Sequence, residues 1–132
     1  MVKKTIQTIG KRKSAIAKAT LSAGKGIIRI NRKLLDTIQP EFLKHRIMEP
    51  LLLSDDVWQK VDIDVNVSGG GVQGQTEATR LAIARALVEF NKKLKKTFSD
   101  YDRHLIVADT RFKEVRKPND SKARSSRQKS YR

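Results

Sequence analysis

Alternation and helical spacing divide the chain before composition is considered. Residues 5–9 and 14–21 are β-branched or alternating and predict two strands, separated by the polar break Gly10-Lys11-Arg12-Lys13. Ala23-Gly24-Lys25-Gly26 marks a turn, and Ile27-Ile28-Arg29-Ile30 a third strand. The N-terminal third is therefore expected to be an antiparallel β-meander with basic loops. Residues 34–38 carry too short a pattern to assign. Pro40 followed by Glu41 marks a helix start, running through Phe42, Leu43 and Ile47 and ending before Pro50. Residues 51–58 do not alternate and predict a further short helix.

The clearest strand is 61–67, where Val61, Ile63, Val65 and Val67 point one way and Asp62, Asp64 and Asn66 the other. Gly69-Gly70-Gly71 ends it. From 75 to 96 the spacing becomes helical, with Ile83, Leu87, Phe90 and Leu94 on one stripe widened by Leu81, Ala84 and Val88. Lys92, Lys93, Lys95 and Lys96 would sit at that helix's C-terminal end, where the dipole favours cations. Leu105-Ile106-Val107-Ala108 suggests a final buried strand. Beyond Thr110 only Phe112, Val115 and Tyr131 are large and apolar or aromatic, too few to bury a core. A globular unit over 1–110 and an extended basic C-terminal arm over 111–132 are expected, without internal repeats.

Charge sharpens this division. The 132 residues carry 29 Lys+Arg against 14 Asp+Glu, a net +15. Residues 1–33 hold ten basic and no acidic residue; 34–110 hold ten basic and twelve acidic; 111–132 hold nine basic and two acidic. The middle is near neutral and the excess lies at the two ends, which points to a polyanionic partner rather than a general solubility device. The chain has no cysteine, so neither a disulfide framework nor a thiolate metal site is available. Its longest apolar runs are four residues, far short of the about 20 that span a bilayer. Neither basic end has the apolar stripe of an interfacial anchor. The expectation is a soluble, intracellular protein with a nucleic-acid partner and no membrane.

Gly69-x-Gly71-x-x-Gly74 has the spacing of a dinucleotide-binding loop, but the second strand with a ribose-holding acid that this site requires is missing. No Gly-Lys-Ser/Thr makes it a P-loop. A glycine turn opening a helix still lets backbone N–H groups approach a phosphate, RNA phosphate included; a purely conformational turn is the alternative. Asp62 and Asp64 share a strand face with no nucleophile or histidine beside them. His45 and His104 lie far apart, without metal-ligand spacing. No enzyme, cofactor, metal or small-molecule substrate is expected. Lys11, Arg12 and Lys13, in a predicted inter-strand loop, can reach phosphates. So can the arm's Arg111, Lys113, Arg116, Lys117, Lys122, Arg124, Arg127, Lys129 and Arg132, and Tyr131 can stack on a base or ribose.

Several segments resemble one family in order along the whole chain. Gly10-Lys11-Arg12-Lys13-Ser14-Ala15, Gly24-Lys25-Gly26-Ile27-Ile28-Arg29-Ile30-Asn31 and Glu49-Pro50-Leu51 are similar to motifs of the ninth protein of the small ribosomal subunit. So is Val67-Ser68-Gly69-Gly70-Gly71-Val72-Gln73-Gly74-Gln75, with Arg80 and Ala86-Leu87 following. The ending Gln128-Lys129-Ser130-Tyr131-Arg132 looks like the archaeal and eukaryotic branch. The resemblance implies an α/β (α+β) two-layer sandwich: a mostly antiparallel sheet packed by helices, like the second domain of the fifth small-subunit protein, with a left-handed βαβ crossover. It further implies a structural ribonucleoprotein component in the cytoplasmic ribosome, bound to rRNA in the subunit head beside neighbouring head proteins. Lys11, Arg12, Lys13, Gly69, Gly70, Gly71, Gln75 and Arg80 would face rRNA. Lys129, Ser130, Tyr131 and Arg132 would touch the anticodon stem-loop of the P-site tRNA during translation. The arm departs from the family pattern at Asp109-Thr110-Arg111, at Pro118-Asn119-Asp120-Ser121 and at Arg127, where an aromatic residue is usual. A free-standing RNA- or DNA-binding protein or RNA chaperone is the main alternative; a nucleotide-dependent enzyme and a membrane-surface protein are weaker ones.

Overall fold

A computed structural model describes residues 5–38, 41–111, 116 and 118. Alternating small and branched residues make Ile6–Arg12 (β1) and Ala15–Ala23 (β2) strands, joined by a two-residue turn at Lys13-Ser14 in which Lys13 takes φ 54°. Ile28–Ile30 (β3) and Lys33–Leu34 (β4) follow, then a 3₁₀ turn at Leu35–Thr37. Glu41–Leu53 (α1) leads through a 3₁₀ turn at Val57–Lys60 to Val61–Ser68 (β5). Val72–Phe90 (α2), Leu94–Tyr101 (α3) and a 3₁₀ turn at Arg103–Leu105 complete the order.

The five strands form one sheet in the order β1-β2-β5-β3-β4. Only β3 and β5 pair in parallel; the other pairings are antiparallel. The mostly antiparallel sheet and three packed helices make an α+β two-layer unit, as expected. The N-terminal third is not a meander, however: β5 inserts between β2 and β3. Burial explains the insertion, because Val61, Ile63 and Val65 are all buried and the sheet's centre is where such a strand is covered best. The turn between β2 and β3 and the alignment of β3 on β5 are set by side chains. Asp62 accepts the Lys25 and Ile27 N–H groups at 2.9 and 3.0 Å, and Asn31 extends the ladder past β3 by pairing with Val67 at 3.1 and 2.9 Å.

One sheet face presents Ala15, Ala17, Ala19, Leu21, Ile28, Ile30, Val61, Ile63 and Val65 to the helices. Alanines along β2 and α2 let these backbones come close, and at Gly10 the approach is closest: a Cβ there would lie 2.1 Å from the Ala78 carbonyl oxygen. Helix α2 lies on β1 and β2 and is covered in turn by α1, which is why Ala78–Ala84 are buried around the whole circumference.

Several secondary-structure expectations need correction. Helix α1 passes through Pro50 to Leu53, so the separate helix over 51–58 does not exist; Pro50 is buried against the core, whose packing outweighs the backbone bond to Arg46 that proline cannot make. The helix expected over 75–96 ends at Phe90. Asn91 caps it, and its side-chain oxygen accepts the Lys93 N–H at 3.2 Å, starting the turn into α3. Residues 105–108 are no strand. Leu105 is fully buried at the end of a 3₁₀ turn, and among the described residues this segment pairs with the sheet's backbone through a single parallel bridge from Asp109 to Arg12. Pro40 lies outside the described residues.

Candidate nucleic-acid interface

The loop of the β1–β2 hairpin is shorter than the sequence suggests. Lys11 and Arg12 belong to β1, and only Lys13 stands in the turn. Pairing with Ile16 and Ala15 fixes Lys11 and Arg12 in the ladder, so the three cations do not form one flexible loop. The glycine turn packs directly against this hairpin. Gly69 and Gly70 hold φ of 80° and 65°, and a Cβ on Gly69 would meet the Ser14 carbonyl at 2.4 Å. Gln75 closes the turn, its side-chain amide donating to the Gly69 carbonyl at 3.1 Å and its N–H to that of Gly71 at 2.9 Å. Gly71 is the exposed N-cap of α2, with open space around it.

The arm's root arrives at the same end of the molecule. Arg85 on α2 donates to the Ile9 carbonyl at 2.8 Å and to the Ile106 carbonyl at 3.0 Å, standing in for ladder bonds along the outer edge of β1. The Arg12–Asp109 bridge is parallel, so the chain leaves in the direction β1 points, toward the hairpin. Asp109 then clasps two cations: it pairs with Arg12 and receives Arg111 through both carboxylate oxygens, at 3.0, 3.1 and 2.7 Å. The Arg111 guanidinium and N–H, aided by Arg12, hold the Asp109 carboxyl well below the usual carboxylate range.

Between hairpin, α1 and α2 lies a cleft of about 490 Å³ lined by Lys11, Arg12, Lys13, Arg46 and Arg111, by Gln73 and Gly74 from the start of α2, and by Phe42. Phe42 and Arg46, from α1, were not singled out in the sequence. Phe42 is an exposed aromatic ring in cationic surroundings, suited to stacking on a base. Arg46 is paired with Glu77, whose hydrogen bond raises its pKa. Neither was signalled by the sequence of α1, which mixes charged and apolar residues through its first half.

Arg80 also lines this cleft, but from a nearly buried position. Its side chain is 3% exposed and donates to Glu49 at 2.8 Å and Asp102 at 3.0 Å, tying α2 to α1 and to the end of α3. Committed to two half-buried carboxylates, this guanidinium ties the helices together and lies in the lining of the cleft with little of its surface exposed. Burial pushes Asp102 up, but the His104 N–H and Arg80 outweigh it and hold its carboxyl below the ordinary value. Arg116 is exposed and is not one of the residues lining the cleft. Lys117, Lys122, Arg124, Arg127, Lys129, Ser130, Tyr131 and Arg132 lie outside the described residues.

Among the described residues no group of acidic and histidine side chains could hold a metal, and no helix is long and apolar enough to cross a membrane. A family model described as ribosomal protein S9/S16 matches residues 10–132, starting at the first glycine of the basic hairpin. Small ribosomal subunit protein uS9 of Methanococcus maripaludis strain C7 is 46% identical over 133 residues, covering 98% of this chain and 99% of that protein. The protein of the same name from Methanococcus vannielii is 45% identical, with the same coverage.

Proposed function

The chain belongs to the ribosomal protein S9/S16 family, and is thus a non-enzymatic structural constituent of the small ribosomal subunit in the cytoplasm; on that footing we propose how it engages RNA. The globular part, over 1–110, docks on small-subunit rRNA in the head through the end of the molecule where hairpin, glycine turn and arm root meet. Lys11, Lys13 and Arg111 neutralise phosphates, the Gly71 N-cap admits a backbone phosphate without side-chain hindrance, and Phe42 stacks on an unpaired base or ribose. The arm, over 111–132, continues from this end toward the P-site tRNA, with Lys129, Ser130, Tyr131 and Arg132 at its tip on the anticodon stem-loop.

One observation carries this reading. Cations from two distant stretches, Lys11–Lys13 and Arg111, line one cleft beside the first turn of α2. Contacts of this kind are electrostatic and weaken with salt.

Sedimentation of a tagged copy from native lysate tests the assignment. Co-migration with the small subunit through a moderate-salt wash is expected, and truncation of 120–132 should leave incorporation intact while weakening P-site tRNA retention. A protein found free, or spread over all nucleic acid, would favour the RNA-chaperone alternative.

A further inference from the structure

The break between α2 and α3 changes the meaning of four lysines. On one continuous helix, Lys92, Lys93, Lys95 and Lys96 would all have been C-terminal and favoured by the dipole. In the structure only Lys92 and Lys93 follow the end of α2. Lys95 and Lys96 occupy the first turn of α3, the positive end of a helix, and Lys93 is its N-cap without any side-chain capping bond. Cations there oppose the dipole, and the four repel one another across five positions. All four are exposed, and the ion pairs among the described residues leave them out, whereas Arg12, Lys44, Arg46, Arg80 and Arg111 each have a carboxylate. Folding alone gives no reason for Lys95 and Lys96: the anchors of α3 are the buried Leu94 and Phe98, on its other face.

We propose that the Lys92–Lys96 turn is a second RNA-contact surface, at the far end of α2 from the hairpin cleft, which grips a separate stretch of small-subunit rRNA backbone through its phosphates. The inference rests on the RNA-binding reading above. Helix α2 has 19 residues. At 1.5 Å per residue the two surfaces stand about 28 Å apart. That exceeds the Debye length of about 8 Å at physiological salt, so they act on different phosphates and contribute independently. Lysine suits this task, being a mobile point charge that follows a backbone without reading bases. Phe90, exposed on the last turn of α2, lies immediately before the cluster.

The test compares the full chain with its Lys95→Gln/Lys96→Gln variant in binding transcribed head-domain rRNA across a salt series, alongside thermal melting. The variant should melt at a higher temperature than wild type, yet its log–log salt slope should be shallower by about 1.4–1.8. Adding Lys11→Gln/Lys13→Gln should subtract a similar amount again. A charge-matched control, Lys33→Gln/Lys60→Gln, should leave the slope within error. Equal slopes for wild type and the Lys95→Gln/Lys96→Gln variant, or an equal loss in the control, would overturn the proposal. So would a wild-type advantage seen with poly-glutamate but not with RNA, which would assign the turn to an acidic protein. If wild type showed no preference for head-domain rRNA over unrelated RNA, the underlying reading would fail first.

Discussion

Glycines that look alike in sequence do different work. Gly10 belongs to the basic motif by position, but its role is to let β1 lie on α2, where an added Cβ would stand 2.1 Å from Ala78 O and 2.7 Å from Ala82 N. Both atoms are helix backbone and cannot rotate away. Gly10→Ala should therefore destabilise by about 1–3 kcal/mol, the usual range for overpacking. Gly71 has open space and φ −99°, so Gly71→Ala should stay within about 0.5 kcal/mol, the lost chain entropy offsetting a poorer N-cap. Urea midpoints of the two variants measure this contrast; similar losses would refute the close approach. Arg80 teaches a parallel point. Nothing near it in the sequence announced that Glu49 and Asp102, at separations of 31 and 22 residues, would pair with it.

At the level of elements, what was legible followed short-range periodicity. Strand β5 was evident because its alternation survives on a half-covered sheet, and β1, β2 and β3 were found within a few residues. Their neighbours were not, since insertion of β5 between β2 and β3 depends on contacts 35 or more residues apart in sequence. The split of α2 from α3 had one signal, Asn91, which a continuous apolar stripe obscured. The arm root had none, because Asp109 was read as a departure from a family pattern and not as a clasp for Arg12 and Arg111. The clasp has a pH signature. Its carboxyl is depressed in the folded state, so its contribution is complete above the unfolded value of about 3.9 and fades only as pH falls through the lower folded value. The Arg111 amide, which donates to Asp109 at 3.0 Å, reports it directly. In an NMR titration that amide should stay constant through neutral pH and shift with a midpoint below the ordinary carboxylate value. A midpoint at or above about 3.9 would mean the arm root is not held.

Across the whole molecule, the fold brings cations from two distant stretches together, Lys11, Arg12 and Lys13 with Arg111 among the described residues. The near-neutral middle supplies the central strand β5, the helices and the carboxylates that pair with the cations, while the hairpin and the arm root meet at the cleft beside the start of α2. Sequence alone located the cationic segments and the glycine turn; their convergence needed the parallel bridge between Arg12 and Asp109, a tertiary contact. The central claim is that this end docks on small-subunit rRNA, and the most direct measurement is protection of head-domain rRNA from hydroxyl radicals by the wild-type chain and by the Lys11→Gln/Lys13→Gln variant. The account predicts a localised backbone footprint with wild type, absent from unrelated RNA, that loses one discrete segment in the variant. An unchanged footprint in a folded variant would contradict it.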